Sequence, residues 1–400
     1  MDCAPTHQQE DANAWFNRLS GVGNIIGMLA GYVNVAKIFP FLGTNQFQVL
    51  CAIACLVMGS TTTITIFTVR ERDPNSLGAP AEKHDGVIAF FRSLWRSVRK
   101  LPPQIKKVCA VQFAAWIGWF PVLFYITTYI GEIYADPFFV ENPHMTDEEI
   151  DKVMEKATRI GTRAMLIFAI TTFASSVFLP IIIPPTYSAP VPTRAALTPA
   201  TPTGGSSSGF FPKPREYSDK ASPSQRFLSV LTYLQIRSLT LRRAWFLSHI
   251  MFTTLMLLTF LVRSVTLATT LVALVGIPWA LTNWAPFALI SSEISKRDAI
   301  RRGLIRAPAT REGQLLAHGE DDAADQAGVV LGIHNVAIAA PQVIATLASS
   351  AIFKWLQKPR GTPGDDSVAW VLRLGGCCAI VAAWLTLRVG EEKEDLEETQ

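Results

Sequence analysis

The segment CAVQFAAWIGWFPVLFYITTYI, residues 109–130, contains no Asp, Glu, Lys or Arg. A helix needs roughly 20 mostly apolar residues to cross the hydrocarbon core of a bilayer. The segment shows no alternation of polar and apolar residues, so it predicts a membrane-spanning helix rather than a strand. The whole chain agrees, because 49% of its 400 residues are hydrophobic and only 17% are charged, against about 25% charged in an average soluble protein.

Similar apolar stretches recur along the chain and predict an all-α, polytopic membrane bundle of about eight transmembrane helices. They cover residues 19–39, 47–69, 109–130, 161–183, 244–262, 265–290, 328–353 and 368–389. The loops at 70–107, 185–243 and 292–327 are rich in Lys and Arg, whereas the loop at 131–158 is acidic. Basic loops stay preferentially in the cytosol. An even number of spans then predicts that both termini are cytosolic.

The spans also predict how the chain is divided. We expect two transmembrane helices in 1–69, a central cytosolic linker in 70–107, six transmembrane helices in 108–390 and an acidic tail in 391–400. Within 108–390, the Pro-, Thr- and Ser-rich composition that follows the fourth span predicts a disordered cytosolic loop at 185–240. Thr146 and Glu149 have the spacing of a capping box, which predicts a short surface helix before that span.

Several functional classes lack their sequence signatures. The chain has no Gly-rich phosphate-binding loop, and its six His and six Cys residues show no metal-ligand spacing. The net charge of +4 is scattered rather than gathered in a basic stripe. We therefore expect no enzyme, no cofactor, no metal site and no nucleic-acid partner.

Polar and aromatic residues inside the spans are the candidates for a binding site. In the third span, Trp116 and Trp119 could offer aromatic faces to the apolar face of a sugar ring. In the sixth span, Asn283 lies between Pro278 and Pro286, which predicts a broken helix. Transporters use such helices to place polar groups at the bilayer midplane.

Further candidates lie in the fourth and seventh spans. Asn335 and Gln342 are seven residues apart beside Pro341, so they project from one helix face and favour a hydrophilic cavity. Arg159 borders the fourth span, where it could line a polar pathway or extend its charge to the membrane surface. His334 is the only titratable group well inside the seventh span.

Small residues in the first span predict close helix packing. Gly23, Gly27 and Gly31 repeat every four residues, which lets two helices approach closely. Packing within the bundle and formation of a homodimer are both compatible with this pattern.

The motifs together carry a resemblance to a known family. WIGWFP at 116–121, the Arg-x-Gly at 159–161, GIPWALTNWAPFALISSE at 276–293 and GIHNVAIAAPQ at 332–342 resemble segments of the sucrose and α-glucoside proton symporters. These belong to the major facilitator superfamily, as glycoside-pentoside-hexuronide-type carriers. The long low-complexity loop is more similar to fungal members than to plant ones. Plant members have acidic residues where this chain has Ile126 and Thr128.

The resemblance implies roles for the candidate residues. Trp116 and Trp119 would stack on the sugar, and a second group would hydrogen-bond its hydroxyls. That group consists of Arg159, Asn283, Asn335 and Gln342. The ligands would be a disaccharide and protons, and the protein would lie in the bilayer of the plasma membrane or the vacuole.

The resemblance also implies an N-terminally truncated chain. The opening residues MDCAPTHQQEDANAW are similar to the family's loop between the fourth and fifth helices, so the eight spans would correspond to helices five to twelve. The resemblance then implies that 1–69 is a remnant of the N-terminal half and that 108–390 is the C-terminal six-helix half. The carboxylate that couples sugar to protons is attributed to the family's first helix. We therefore expect proton symport of sucrose or a related α-glucoside that is incomplete in this chain. A non-transporting sugar sensor, a regulatory partner paired with a full-length carrier, and a carrier of another small solute remain alternatives.

Overall fold

The computed structural model describes residues 9–43, 45–69, 98–184, 238–301 and 327–390, together with isolated positions between them. This part of the chain contains helices and no β-strand, which confirms the all-α prediction. The helices are α1 (Gln9–Tyr32), α2 (Val35–Ile38), α3 (Gln46–Thr68), α4 (Pro103–Glu141), α5 (Asp147–Ile182), α6 (Leu241–Leu258), α7 (Val265–Arg301), α8 (Ala327–Ala339), α9 (Pro341–Leu356) and α10 (Ser367–Thr386). Most of the expected linker, nearly all of the expected disordered loop and the acidic tail lie outside the described residues.

Six helical segments in the described part are long and apolar enough to cross a membrane, which confirms a polytopic membrane protein. They are α3, α4, α5, α7, the consecutive pair α8 and α9, and α10. The first and fifth predicted spans are helical, as α1 and α6, but are not among these six. Polar residues lower their mean hydropathy: α6 begins with Arg242 and Arg243, and α1 begins in the polar sequence QEDANAW.

Three helices extend well beyond their predicted spans. α4 contains 39 residues, α5 contains 36 and α7 contains 37, although about 20 are enough to cross the bilayer. The predicted surface helix is therefore the first part of α5 and not a separate element. Its capping box is confirmed, because the backbone N–H of Thr146 donates to Oε2 of Glu149 over 2.9 Å.

Proline has opposite effects in two of the spans. α7 continues through Pro278 and Pro286, so the predicted break in the sixth span is wrong. A membrane helix tolerates an internal proline when neighbouring helices and local adjustments satisfy the freed backbone groups. In the seventh span the chain does break, because Ala340 separates α8 from α9 and Pro341 is the first residue of α9.

The bundle is built around α4, which contacts α5, α7, α8, α9 and α10. Its closest approach is to α10, where a Cβ placed on Gly118 would lie only 2.4 Å from the carbonyl oxygen of Gly375. Glycine is therefore needed at this contact, because the obstacle is backbone rather than a movable side chain. The glycines predicted to pack in the first span behave differently: Gly31 faces Thr162 of α5, whereas Gly23 and Gly27 have no described neighbour within 4 Å.

At both ends of the bundle, hydrogen bonds connect helices with the segments that flank α10. At one end, called here the acidic end, Asp136 of α4 accepts a hydrogen bond from the backbone N–H of Gly364, and Arg360 pairs with Asp151 of α5. At the opposite end, the side-chain amide of Gln104 and the backbone of Gly390 exchange two hydrogen bonds of 3.0 Å. These contacts connect α4 and α5 with the chain on both sides of α10.

Candidate functional site

An aromatic cluster joins α4, α5, α6 and α7 inside the bundle. We use "aromatic cluster" for Trp116, Trp119, Phe168, Phe252 and Trp279. The Trp279 ring lies at its centre, with ring centroids 4.9 Å from Trp119, 5.7 Å from Trp116 and 6.4 Å from Phe168. Trp119 is only 1% exposed and also lies 4.3 Å from Phe252. Trp116 is half-buried, which leaves part of its ring uncovered by protein.

Asn283 lies one helical turn beyond Trp279 on α7. Its Nδ2 donates to the carbonyl oxygen of Trp279 over 2.8 Å, and the side chain is half-buried. The neighbouring Thr282 is 1% exposed. An amide and a hydroxyl therefore lie beside the tryptophans, as a ligand with both apolar faces and hydroxyls would require.

A second polar contact joins α4 to α8. Nε2 of Gln112 lies 3.4 Å from Nε2 of His334, and both side chains are fully buried. The His334 ring also makes an edge contact with Phe287 of α7, with centroids 4.8 Å apart. Gln112 is one helical turn before Trp116, so this pair borders the aromatic cluster.

Four buried polar atoms in this region make no hydrogen bond with any described residue. They are Oε1 of Gln112, Nε1 of Trp116, Oγ1 of Thr282 and Nδ1 of His334. A buried polar atom left without a hydrogen bond costs about 1–3 kcal/mol. Water or a hydroxyl-bearing ligand that reached these atoms would recover that free energy, so the region is suited to binding a polar solute.

The six residues predicted for substrate binding do not all lie together. Trp116, Trp119 and Asn283 meet around Trp279. Arg159 is 44% exposed in its side chain and pairs with Glu155 over 2.9 Å. Its neighbour Gly161 packs on Thr127 of α4, eight residues and about 12 Å of helical rise beyond Trp119.

Asn335 and Gln342 occupy the exposed surface of α8 and α9. The apolar residues Val343 and Leu347 of α9 are also exposed there, at 64% and 67%. Amides on a surface that otherwise suits lipid are costly in a membrane, since the hydrocarbon core offers no hydrogen-bond partner.

Sequence reasoning missed Trp279 and Gln112. A signal existed for Trp279, because it precedes Asn283 by four residues and therefore shares its helix face. Gln112 offered none, since its partner His334 is 222 residues away along the chain.

Comparison with curated proteins gives several relatives, whereas no protein-family model matches the chain. The general alpha-glucoside permease of Schizosaccharomyces pombe is 33% identical over 96% of this chain and 68% of its own length. An MFS-type transporter of Talaromyces islandicus is 32% identical over 39% of the chain and 54% of its own length. The sucrose transport protein SUT2 of Oryza sativa subsp. indica is 34% identical over 33% of the chain and 29% of its own length.

The relatives and the fold agree with the motifs in the sequence. All three relatives are named as transporters or permeases, and the described part of this chain is a membrane helix bundle with a polar, aromatic-lined interior. The relationship to the fission yeast permease extends over nearly the whole chain, and so the chain belongs to the sucrose and α-glucoside transporter family of the major facilitator superfamily.

Proposed function

We propose that this chain takes part in carrying sucrose or a related α-glucoside across a membrane together with a proton. The observation that carries the proposal is the half-buried Trp116, whose ring contacts Trp279 one helical turn before Asn283. Buried polar atoms on the same helices make no hydrogen bond within the described residues. The name of the fission yeast permease supports the α-glucoside class. The names of the rice relatives support sucrose.

The proposed binding mode follows from the chemistry of the cluster. A pyranose ring has one apolar face, which stacks on the uncovered part of the Trp116 indole. Its hydroxyls then hydrogen-bond to the side chain of Asn283 and to the unpaired atoms of Trp116 and Thr282. Trp119 and Trp279 hold the Trp116 ring in place by their contacts within the aromatic cluster.

The proposed site also includes three exposed residues on the surface of α5, α8 and α9. They are Arg159, Asn335 and Gln342. The two amides would then face a polar solute or another helix instead of lipid, which removes the cost of exposing them to hydrocarbon. The guanidinium of Arg159 can donate to sugar hydroxyls once it leaves Glu155, because an exposed ion pair of this kind holds only weakly.

The proposed location is an integral, multi-pass position in the plasma membrane or the vacuolar membrane, with both termini in the cytosol. The charge bias of the loops supports this orientation. We also propose that these 400 residues alone do not move sugar. Alternating access needs two packed halves around a central site, and the chain spans 68% of the fission yeast permease.

A fusion experiment tests this proposal. The segment of the fission yeast permease that this chain does not cover is fused to the chain, and both proteins are reconstituted in liposomes. We expect the fusion to take up α-glucosides when a proton gradient is applied, and we expect the 400-residue chain to take up none.

Three results would count against specific parts of the proposal. Uptake by the 400-residue chain alone would contradict the need for further helices. Sugar uptake that persists after a protonophore collapses the gradient would contradict proton symport. A fusion that moves another small solute and no α-glucoside would contradict the substrate class.

A further inference from the structure

A polar pocket lies at the acidic end, away from the aromatic cluster. It has a volume of about 200 Å³ and is formed by α4, the turn between α6 and α7, and the chain before α10. Its polar lining includes Tyr129, Glu132, Asp136, Asp365 and Asp366, with the guanidinium of Arg263 beside them. Carboxylates outnumber cations in this lining, so the pocket favours a positively charged ligand.

Two of the four carboxylates already have partners. Asp136 accepts a hydrogen bond from the backbone N–H of Gly364. Asp365 accepts from the backbone N–H groups of Lys358 and Ser367, over 3.0 and 2.9 Å. These two acids therefore shape the loop before α10.

Glu132 is a carboxylate of this pocket that accepts no such hydrogen bond from a described residue. It is half-buried, and among the described residues no hydrogen bond or ion pair reaches it. Its burial, and then the carboxylates of Asp365 and Asp366 in the same pocket lining, disfavour its ionised form. Asp366 itself precedes α10 without a side-chain capping bond.

The described cations near the pocket form no ion pair that would neutralise the charge of Glu132. Arg373 is buried, and its guanidinium already interacts with other groups. Its Nε donates to Oγ1 of Thr259 over 3.0 Å, and its guanidinium carbon lies 3.7 Å from the Phe260 ring centroid. Arg263 is exposed and forms no ion pair with a described carboxylate. Arg360 is paired with Asp151.

An independent observation also points to a ligand in this pocket. Tyr129 is only 4% exposed, lines the pocket, and has a hydroxyl that makes no hydrogen bond with any described residue. Tyr129 is also one helical turn before Glu132 on α4, so the two side chains lie on neighbouring positions of one face.

We propose that this pocket is a proton-binding site in which Glu132 accepts the proton. The resulting carboxylic acid then forms with the Tyr129 hydroxyl a hydrogen bond that the two groups do not make in this structure. A proton from the aqueous phase adds to one carboxylate oxygen, which removes the repulsion from Asp365 and Asp366 and supplies an O–H donor. A bound metal ion fits less well, because no group of His, Cys, Asp or Glu in the described residues has a metal-binding arrangement. The role of this proton in coupled transport rests on the proposed function, whereas its binding does not.

Infrared spectroscopy of the full chain in lipid nanodiscs tests the assignment. A protonated carboxylic acid has a carbonyl stretching band that is separate from the amide and carboxylate bands. We expect this band at neutral pH, with its loss at alkaline pH. Glu132→Gln should abolish it, whereas Glu141→Gln, at the exposed end of the same helix, should leave it unchanged.

A second variant keeps the test decisive if Glu132→Gln fails to fold. Tyr129→Phe removes the hydroxyl, so the band should persist and shift in frequency. The absence of the band from the unsubstituted chain at neutral pH would overturn the proposal, as would an unchanged band in Glu132→Gln. The band does not depend on sugar, so a failure of sugar binding while the band is present would count against the proposed function alone.

Discussion

Gly118→Ala is expected to destabilise the bundle more than any other single-methyl addition discussed here. The new Cβ would lie 2.4 Å from the carbonyl oxygen of Gly375, so α4 and α10 would have to separate along their whole contact. Adding one methyl group to a packed interior costs about 1–3 kcal/mol. We expect the upper end of this range, because the obstacle is backbone. Thermal unfolding of the purified protein, followed by tryptophan fluorescence, measures the change.

Gly27→Ala is the matched control for that prediction. Gly27 is also within a helix, but a Cβ there meets no described atom within 4 Å. Alanine is a better helix former than glycine by up to about 1 kcal/mol, so this variant should unfold at the same temperature as the unsubstituted chain or slightly higher. Equal unfolding temperatures for Gly118→Ala and Gly27→Ala would mean that the α4–α10 contact does not hold the bundle together.

The two tryptophans of WIGWFP are expected to differ sharply when each is replaced by alanine. Trp119 is covered on both sides by Phe252 and Trp279, so Trp119→Ala should cost about 3–5 kcal/mol of folding free energy. Trp116 is half-buried with an unpaired Nε1. Trp116→Ala should therefore leave most of the folding stability and weaken sugar binding at least tenfold, equivalent to about 1.4 kcal/mol.

Unfolding and sugar-binding measurements on the same preparations separate these two roles. Trp384→Ala is the control, because Trp384 lies on α10 with 52% of its surface exposed and no contact with the aromatic cluster. It should leave sugar binding unchanged and lower stability only by the loss of its exposed contact with the Arg388 guanidinium, about 0.5–1 kcal/mol. Sugar binding that survives Trp116→Ala intact would remove that residue from the proposed site.

Features that depend on neighbouring residues could be predicted from the sequence. The apolar spans follow from composition over about 20 residues, and the Thr146–Glu149 capping box follows from a spacing of three. Each of these features is decided within one or two helical turns.

Features that depend on packing could not be predicted in this way. Pro278 and Pro286 have the same local chemistry as Pro341, yet α7 continues through both of them. Gly118 and Gly375 gave no sign of their contact, because they are far apart in the chain. The predicted site is divided for the same reason: Trp116 and Asn283 are brought together by helix packing, and the same packing leaves Asn335 exposed.

Equilibrium binding of labelled sucrose to the purified chain in lipid nanodiscs tests the central claim most directly. The account predicts saturable binding that unlabelled maltose displaces, that weakens in Trp116→Ala and Asn283→Ala, and that is unchanged in Trp384→Ala. Saturable binding that is equally strong in Trp116→Ala and Asn283→Ala, or no saturable binding to the unsubstituted chain, would contradict it.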